Sequence, residues 1–561
     1  METYPQWPNL AAMMFDRART WHDRPMLRTF RNGAWHGLNW AEFARQAASV
    51  ARHLRAAGVA AGDRVLIVSE NRPEYPIVET ALMAIRAVPV PTYVTNTVAD
   101  HAHVLHDCGA RMAVVSSAVL AAKVVQAAPL DLLIVMEPFE MAGTRVLAWD
   151  SLTGDSTAPD DIVAEAALIP PTALACLIYT SGTGGAPKGV MLPHRAVLSN
   201  CRGAFRLLEL IGLRRDVYLS FLPLSHSYEH TAGQFFMASI GAELVYSRGA
   251  EHLASDMLAV APTIMTVVPR VLEVIRGRVR QQVARQPAWK QRLFERALAV
   301  GLRRAEHRLT LADRMLDPLL DRLVRRTVRA RFGGRLRVLV SGGARLDPEV
   351  GRFFLGLGLQ LLQGYGQTEA GPVISANPPN AVQVETVGPP LEGVDLRIAA
   401  DGEVLVRGDL VMDGYWDRPQ ETAQVMHDGW LHTGDIGTLE AGGYLRITDR
   451  KRDMIVLSGG ENISPARVEG MLMDEPEIVQ AVVSGEGQTG LTALVVAAEG
   501  CGEVEVAAAV SRANRRMSGT ERVRRHMLVA PFTLENGLMT ATQKVKRHMV
   551  LQAHDDLLSG R

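Results

Sequence analysis

The sequence predicts an α/β protein, with a large N-terminal domain of parallel and mixed sheets flanked by helices and a small α+β domain at the C-terminus. Two patterns carry this prediction. Short aliphatic runs alternate with amphipathic helical stretches through residues 40–135, and the same rhythm returns at 211–270 and 335–375. Strands separated by helices pair in parallel, because each crossover returns the chain to the same end of the sheet. After residue 449 the order becomes helix, strand, strand, helix over about 110 residues, which suits a separate small domain. A chain of 561 residues has room for several average domains, or for one large and one small.

The elements follow in order. Residues 41–57 read as an amphipathic helix that stops at Gly58, a glycine placed to take a left-handed conformation after the last turn. Residues 64–68 read as a buried strand, 77–85 as a helix, 88–90 as a short strand and 111–116 as another. The aliphatic run 132–136 is far too short to cross a bilayer and suits a buried strand. Residues 276–331 break the rhythm: 16 Lys or Arg stand against 5 Asp or Glu, with Leu316, Leu319, Leu320, Leu323 and Val324 interleaved. That is the pattern of basic amphipathic helices, which suits a solvated face or contact with an anionic membrane surface or acidic phosphates. Beyond Asp449 a helix is expected at 465–473, strands at 479–484 and 492–497, and a helix at 504–517. There is no internal repeat.

Composition narrows the class. Hydrophobic residues are 47% and charged residues 21%, ordinary for a packed protein and unlike a disordered chain. Sixty basic residues balance sixty acidic ones, so the global excess expected of a nucleic-acid binder is missing. Cys108, Cys176, Cys201 and Cys501 show no C-x-x-C spacing, which disfavours a zinc site or redox pair. The first twenty residues lack a basic start and an apolar core, so no secretory signal is read and a cytoplasmic location is expected.

The strongest chemical signal is Leu177-Ile178-Tyr179-Thr180-Ser181-Gly182-Thr183-Gly184-Gly185-Ala186-Pro187-Lys188-Gly189. An apolar strand runs into hydroxyls, glycines and a lysine. Glycines let backbone N–H groups approach an anion, hydroxyls donate to phosphate oxygens, and lysine adds a point charge. The segment is not a Walker A loop, since Lys188 precedes Gly189 rather than Ser or Thr.

The segment resembles the phosphate loop of the acyl-adenylate-forming superfamily, which includes acyl-CoA synthetases, luciferases and peptide-synthetase adenylation domains. Four further segments match in order. Gly364-Tyr365-Gly366-Gln367-Thr368-Glu369 resembles its G-Y-G-x-T-E motif, and Trp430-Leu431-His432-Thr433-Gly434-Asp435 its W-x-x-T-G-D motif. Asp449 to Asp453 followed by Ser458-Gly459-Gly460-Glu461-Asn462-Ile463-Ser464-Pro465 resembles its hinge and the loop after it. Thr540-Ala541-Thr542-Gln543-Lys544 resembles its C-terminal lysine motif. Leu222-Pro223-Leu224-Ser225-His226-Ser227-Tyr228-Glu229 and Ser341-Gly342-Gly343-Ala344 are similar to segments of long-chain acyl-CoA synthetases. Residues 1–170 fit by rhythm alone. Two positions depart from the pattern: Gly184 where a hydroxyl residue is usual, and Ala541 where proline is usual.

The resemblance implies ATP-dependent activation of a medium- to long-chain fatty acid to acyl-AMP and then acyl-CoA, with release of AMP and pyrophosphate. ATP, Mg²⁺ and coenzyme A are the implied cofactor and cosubstrates. Thr180, Ser181, Gly182, Thr183 and Lys188 would hold the β- and γ-phosphates, Thr368 the α-phosphate, and Glu369 the Mg²⁺ ion. Gly364, Tyr365 and Gly366 with Gly343 and Ala344 would enclose adenine. Asp435 and Arg450 would bind the ribose. His226 would stand near the carboxylate, and Lys544 would bridge carboxylate and α-phosphate. Residues 1–449 would form the AMP- and acyl-binding domain, with 276–331 as a basic helical insertion. Residues 450–561 would rotate about Arg452, bringing Ser458, Gly459, Gly460 and Glu461 to the CoA channel. Peripheral membrane contact, a homodimer and no nucleic-acid partner complete the expectation.

Plainer readings stay open here. Glu369 suits a helix-start carboxylate, Asp435 a turn residue, Lys544 a solvated charge cluster, and His226 an ordinary packed histidine. An acyl-AMP ligase that loads a carrier protein, an aryl- or short-chain acid–CoA ligase, and a silent nucleotide-binding scaffold share these motifs.

Overall fold

The computed structural model describes residues 4–139, 144–180, 186–451, 453–459, 461–540 and 545–559. By its internal contacts the chain divides into two units. The first holds most of residues 1–431, and the second holds 396–405 and everything from 432 onward.

Among the described residues the first unit is built on three sheets. One has eight strands in the order Val373–Ala376, Gln360–Gly366, Val338–Ser341, Ile264–Val267, Val217–Ser220, Glu243–Tyr246, Pro25–Arg31, Ala34–Asn39. Its central strands run parallel and an antiparallel strand closes each edge. The second sheet is wholly parallel, in the order Val88–Thr92, Arg64–Val68, Met112–Val115, Leu132–Val135, Val146–Ala148. Leu66, Val68, Ala113, Val115, Leu133 and Val135 are buried, which is why these strands read as unbroken aliphatic runs rather than alternating ones. The third sheet is a small antiparallel one, in which Lys188–Pro193 lies between Leu174–Thr180 and Gly414–Tyr415.

Local chemistry sets the helix ends. Trp40–Ala56 is capped reciprocally: Asn39 Oδ1 accepts the Glu42 N–H and Glu42 Oε2 accepts the Asn39 N–H, each at 2.8 Å. It ends before Gly58, whose φ of +101° is cheap only for glycine. The helix expected at 77–85 runs from Glu74 to Ala84 instead. Pro76 falls in its first turn, where the missing N–H has no intrahelical partner anyway. The strand expected at 88–90 continues to Thr92 through Pro91 because it is an edge strand with one unpaired side.

The helices expected over 276–331 form, but the first starts earlier: Pro269–Ala284, Ala288–Ala305 and Leu311–Leu320, with the last continuing through a wider turn into Arg326–Ala330. Among the described residues no helix is long and apolar enough to cross a membrane.

The second unit contains most of strand Trp430–Leu439, paired antiparallel with Leu445–Arg450. After it, Ile478–Ser484, Leu491–Ala497 and Val523–Leu528 form a sheet against Pro465–Met473 and Glu503–Arg516. Val468, Leu472, Val483, Leu491, Val506 and Ala509 fill its core.

Candidate active site

Four parallel strands of the eight-stranded sheet deliver the motifs at their C-terminal ends. Val217–Ser220 leads to His226, Ile264–Val267 ends beside Val268, Val338–Ser341 leads to Gly343 and Ala344, and Gln360–Gly366 carries Tyr365. In open α/β sheets this end is where ligands bind.

Gly343 is exposed, with a φ of +82°. Gly366 has no room for a side chain, since a Cβ there would fall 1.9 Å from the Pro372 carbonyl oxygen. A single turn, Thr368–Ala370, follows the strand. There the Thr368 hydroxyl shares a 2.9 Å hydrogen bond with Ser227, which ties the turn to the His226 segment. The Tyr365 backbone pairs with Ser375.

Glu369 accepts a hydrogen bond at Oε1 from the Tyr415 hydroxyl at 2.9 Å. The same tyrosine ring lies beneath the Lys188 ammonium, whose Nζ is 5.0 Å from the ring centroid. Lys188 also forms an ion pair with Glu421. Tyr415 therefore links the lysine that closes the glycine-rich loop to the carboxylate read as the metal ligand. Its position follows from register, because Tyr415 pairs with Val190 two residues past Lys188.

The loop between Thr180 and Lys188 is a hairpin connection, for these two residues face each other across the ladder. Ser181, Gly182 and Thr183 lie outside the described residues. Helix Val98–Cys108 holds the base of the hairpin. His103 Nε2 donates to the Pro187 carbonyl at 2.8 Å, and Asp107 accepts from the Tyr179 hydroxyl and from Arg418, both at 2.7 Å.

Asn200, buried on helix His194–Leu208, clamps the turn after Glu369. Its amide donates to the Ala370 carbonyl at 3.1 Å, and its Oδ1 accepts the Val373 N–H at 2.7 Å.

His226 is half-buried, and its Nδ1 accepts the Tyr228 N–H at 3.2 Å, which puts the proton of the neutral ring on Nε2. The Tyr228 hydroxyl donates to the Val340 carbonyl at 2.8 Å, and its ring lies against Gly342. Glu229 is fully buried and accepts from the hydroxyls of Tyr218, Ser220 and Thr266 at 2.6–2.8 Å. Burial outweighs these three donors and raises its carboxyl to about 7. This anchor fixes the widened helical turn Glu229–Phe235 to the strands beneath it.

In the second unit, Asp435 and Arg450 face each other in register, with Arg450 Nε 3.0 Å from Asp435 Oδ1. Ser458, Gly459 and Glu461 are exposed, and the Leu457 N–H donates to the Glu461 carbonyl at 2.9 Å. Arg452, Gly460 and Lys544 lie outside the described residues.

The motifs thus place Lys188, Thr368, Glu369 and His226 within one unit, joined through Tyr415 and Ser227. Sequence reading missed Asn200, Tyr415, Glu421, His103 and Asp107. Only Gly414-Tyr415, a glycine-aromatic pair, left even a weak local signal.

Comparison with known proteins gives consistent matches. The family model for AMP-binding enzymes matches residues 14–416, and the model for the AMP-binding enzyme C-terminal domain matches 452–560. The long-chain-fatty-acid–CoA ligase FadD15 of Mycobacterium bovis is 35% identical over 95% of this chain and 94% of its own. The peroxisomal long chain acyl-CoA synthetase 6 of Arabidopsis thaliana is 30% identical over 86% of this chain and 75% of its own. A benzoate CoA ligase from Burkholderia xenovorans LB400 superposes with a TM-score of 0.75 at 21% identity, over 97% of this chain and 99% of that one. The chain belongs to the AMP-binding enzyme family.

Proposed function

We propose that this protein is an ATP-dependent fatty acid–CoA ligase acting on medium- to long-chain acids and releasing AMP and pyrophosphate. The observation that carries the proposal is the linkage Lys188–Tyr415–Glu369, which sets a cation and a hard carboxylate beside the glycine-rich hairpin. The names of the relatives quoted above support a long-chain acid as substrate.

In the first step a carboxylate oxygen attacks the α-phosphorus of ATP, and the bond to pyrophosphate breaks. Lys188 and the loop donors meet the charge that develops on the leaving pyrophosphate. Thr368 orients the α-phosphate, and the Nε2–H of His226 directs the acid. Lys544, carried by a C-terminal domain of residues 450–561 that turns about Arg452, offsets the repulsion between the two anions. In the second step the CoA thiol loses its proton and sulfur attacks the acyl carbon, while the bond to AMP breaks. Ser458 to Glu461 line the approach of the thiol arm, and Asp435 with Arg450 hold the ribose. Contact of the basic helices 276–331 with a membrane would bring the acid to the enzyme.

Among the described residues no three His, Cys, Asp or Glu side chains converge as a metal cage. One carboxylate beside a phosphate loop fits Mg²⁺, which keeps phosphate oxygens and water in its shell. When bound there, the ion would neutralise phosphate charge.

The test is product analysis with ATP, Mg²⁺ and acids from acetate to oleate plus benzoate, with and without CoA. Acyl-CoA formed from C8–C18 acids is the expected result. Adenylate that accumulates and ignores CoA would move the assignment to carrier-protein loading. A preference for benzoate or acetate would move it to an aryl or short-chain ligase.

A further inference from the structure

The helices at 288–331 divide their charge unevenly. The acids of the third helix point inward and are paired. Asp313 is gripped by Arg303 through two contacts of 2.8 Å, Asp317 by Arg304 and Arg325, and Asp321 by Arg325 and Arg329. Leu320 turns inward as well, against Ala297 and Val300. This accounts for several arginines of the basic stretch as internal ties.

The other side of the helix has the opposite character. Leu311, Met315, Leu319 and Leu323 recur every four residues and are 81%, 84%, 53% and 54% exposed. Spacing of four places them in a row along one face. Arg314, Arg322, Arg326 and Arg331 are exposed among and beyond them and form no ion pair among the described residues. An apolar row flanked by uncompensated arginines, with Asp313, Asp317 and Asp321 turned the other way, matches a surface that is anionic outside and apolar just beneath.

We infer that this helix face, Leu311 to Leu323 with Arg314, Arg322 and Arg326, docks flat on an anionic lipid bilayer. The leucines and methionine enter the headgroup boundary while the arginines meet lipid phosphates. This deepens the membrane contact in the reading above and rests on it for its purpose, the supply of a membrane-dissolved acid.

The test is co-sedimentation of the full chain with vesicles of phosphatidylglycerol and phosphatidylcholine or of phosphatidylcholine alone, at about 0.05 M and about 0.5 M salt. Binding to the anionic vesicles that falls with salt is expected, because an exposed charge more than a Debye length away is screened. Replacing Arg314, Arg322 and Arg326 with Gln should weaken binding by about 100-fold, from about fivefold per removed charge. Leu311→Ser with Met315→Ser should weaken it about tenfold or more. Pyrophosphate release with octanoate should stay at the wild-type level in both variants, which reports that they fold. Equal binding to neutral vesicles, or variants that bind like wild type, would overturn the inference. So would a dimer abolished by the Leu311→Ser/Met315→Ser pair without any lipid binding. Failure of the ligase reading is distinguishable: no acid would release pyrophosphate while vesicle binding persisted.

Discussion

Replacing Asn200 with alanine probes how the turn bearing Thr368 and Glu369 is held. The side chain is buried and makes two hydrogen bonds, accepting from Val373 N–H at 2.7 Å and donating to Ala370 carbonyl at 3.1 Å. Leaving a buried backbone group unpaired costs about 1–3 kcal/mol. Two such groups therefore cost about 2–6 kcal/mol, at the lower end where water enters the space left. One of these bonds holds the last residue of the turn and the other the strand just after it, so the turn's two functional side chains should shift. Displacing a reacting or orienting group by about 1 Å can cost up to about 10²-fold in rate. Acid-dependent pyrophosphate release should thus fall about 10- to 100-fold in kcat, and thermal unfolding should begin several degrees lower. Asn200→Asp keeps the acceptor for Val373 but turns a buried carboxylate oxygen toward the Ala370 carbonyl, so it should lose at least as much as the alanine variant. If Asn200→Ala matched wild type in both kcat and unfolding temperature, the clamp would not be what positions Glu369.

Three further outcomes follow from the geometry. Tyr415→Phe keeps the ring beneath Lys188 and removes the hydrogen bond to Glu369, so it should raise the Mg²⁺ requirement several-fold and leave unfolding nearly unchanged. An unchanged Mg²⁺ titration would deny the link. Gly366→Ala forces a Cβ to within 1.9 Å of the Pro372 carbonyl, so the strand end must move, and activity should drop with loss of stability of about 1–3 kcal/mol. A fully active, equally stable variant would refute that contact. Glu229 has its folded carboxyl raised to about 7 against an ordinary value of 4.5, so its contribution is full below about 4.5 and is lost as pH rises through 7. Glu229→Gln should therefore gain stability relative to wild type between pH 5 and 8 in thermal scans, and parallel pH curves for the two proteins would contradict the assignment.

The reach of sequence reading follows the range of the interactions. Lys188 stands in a glycine-rich run whose local chemistry marks it, and Thr368 and Glu369 stand in a contiguous motif whose family resemblance implied their roles. Asn200 acts on Ala370 from 170 residues away, and Arg418 reaches Asp107 across 311 residues. Nothing local in the sequence announces such pairs, because the sheet register that creates them is tertiary. Element types were legible where periodicity is strong, as in Pro465–Met473. Two boundaries moved past prolines, Pro76 and Pro91, since a first turn and an edge strand both tolerate a missing N–H. The basic composition of 276–331 was visible, but the inward pairing of Asp313, Asp317 and Asp321 was not, because one-dimensional charge counts do not say which face a side chain takes.

The central claim is that the acid is activated as its adenylate. Turnover of a fatty acid labelled with ¹⁸O in both carboxylate oxygens tests it directly, with mass analysis of the nucleotide and acyl products. Attack by the carboxylate on the α-phosphorus followed by thiol displacement predicts one ¹⁸O in AMP, one in acyl-CoA and none in pyrophosphate. Unlabelled AMP, or label appearing in orthophosphate alongside ADP, would contradict the account.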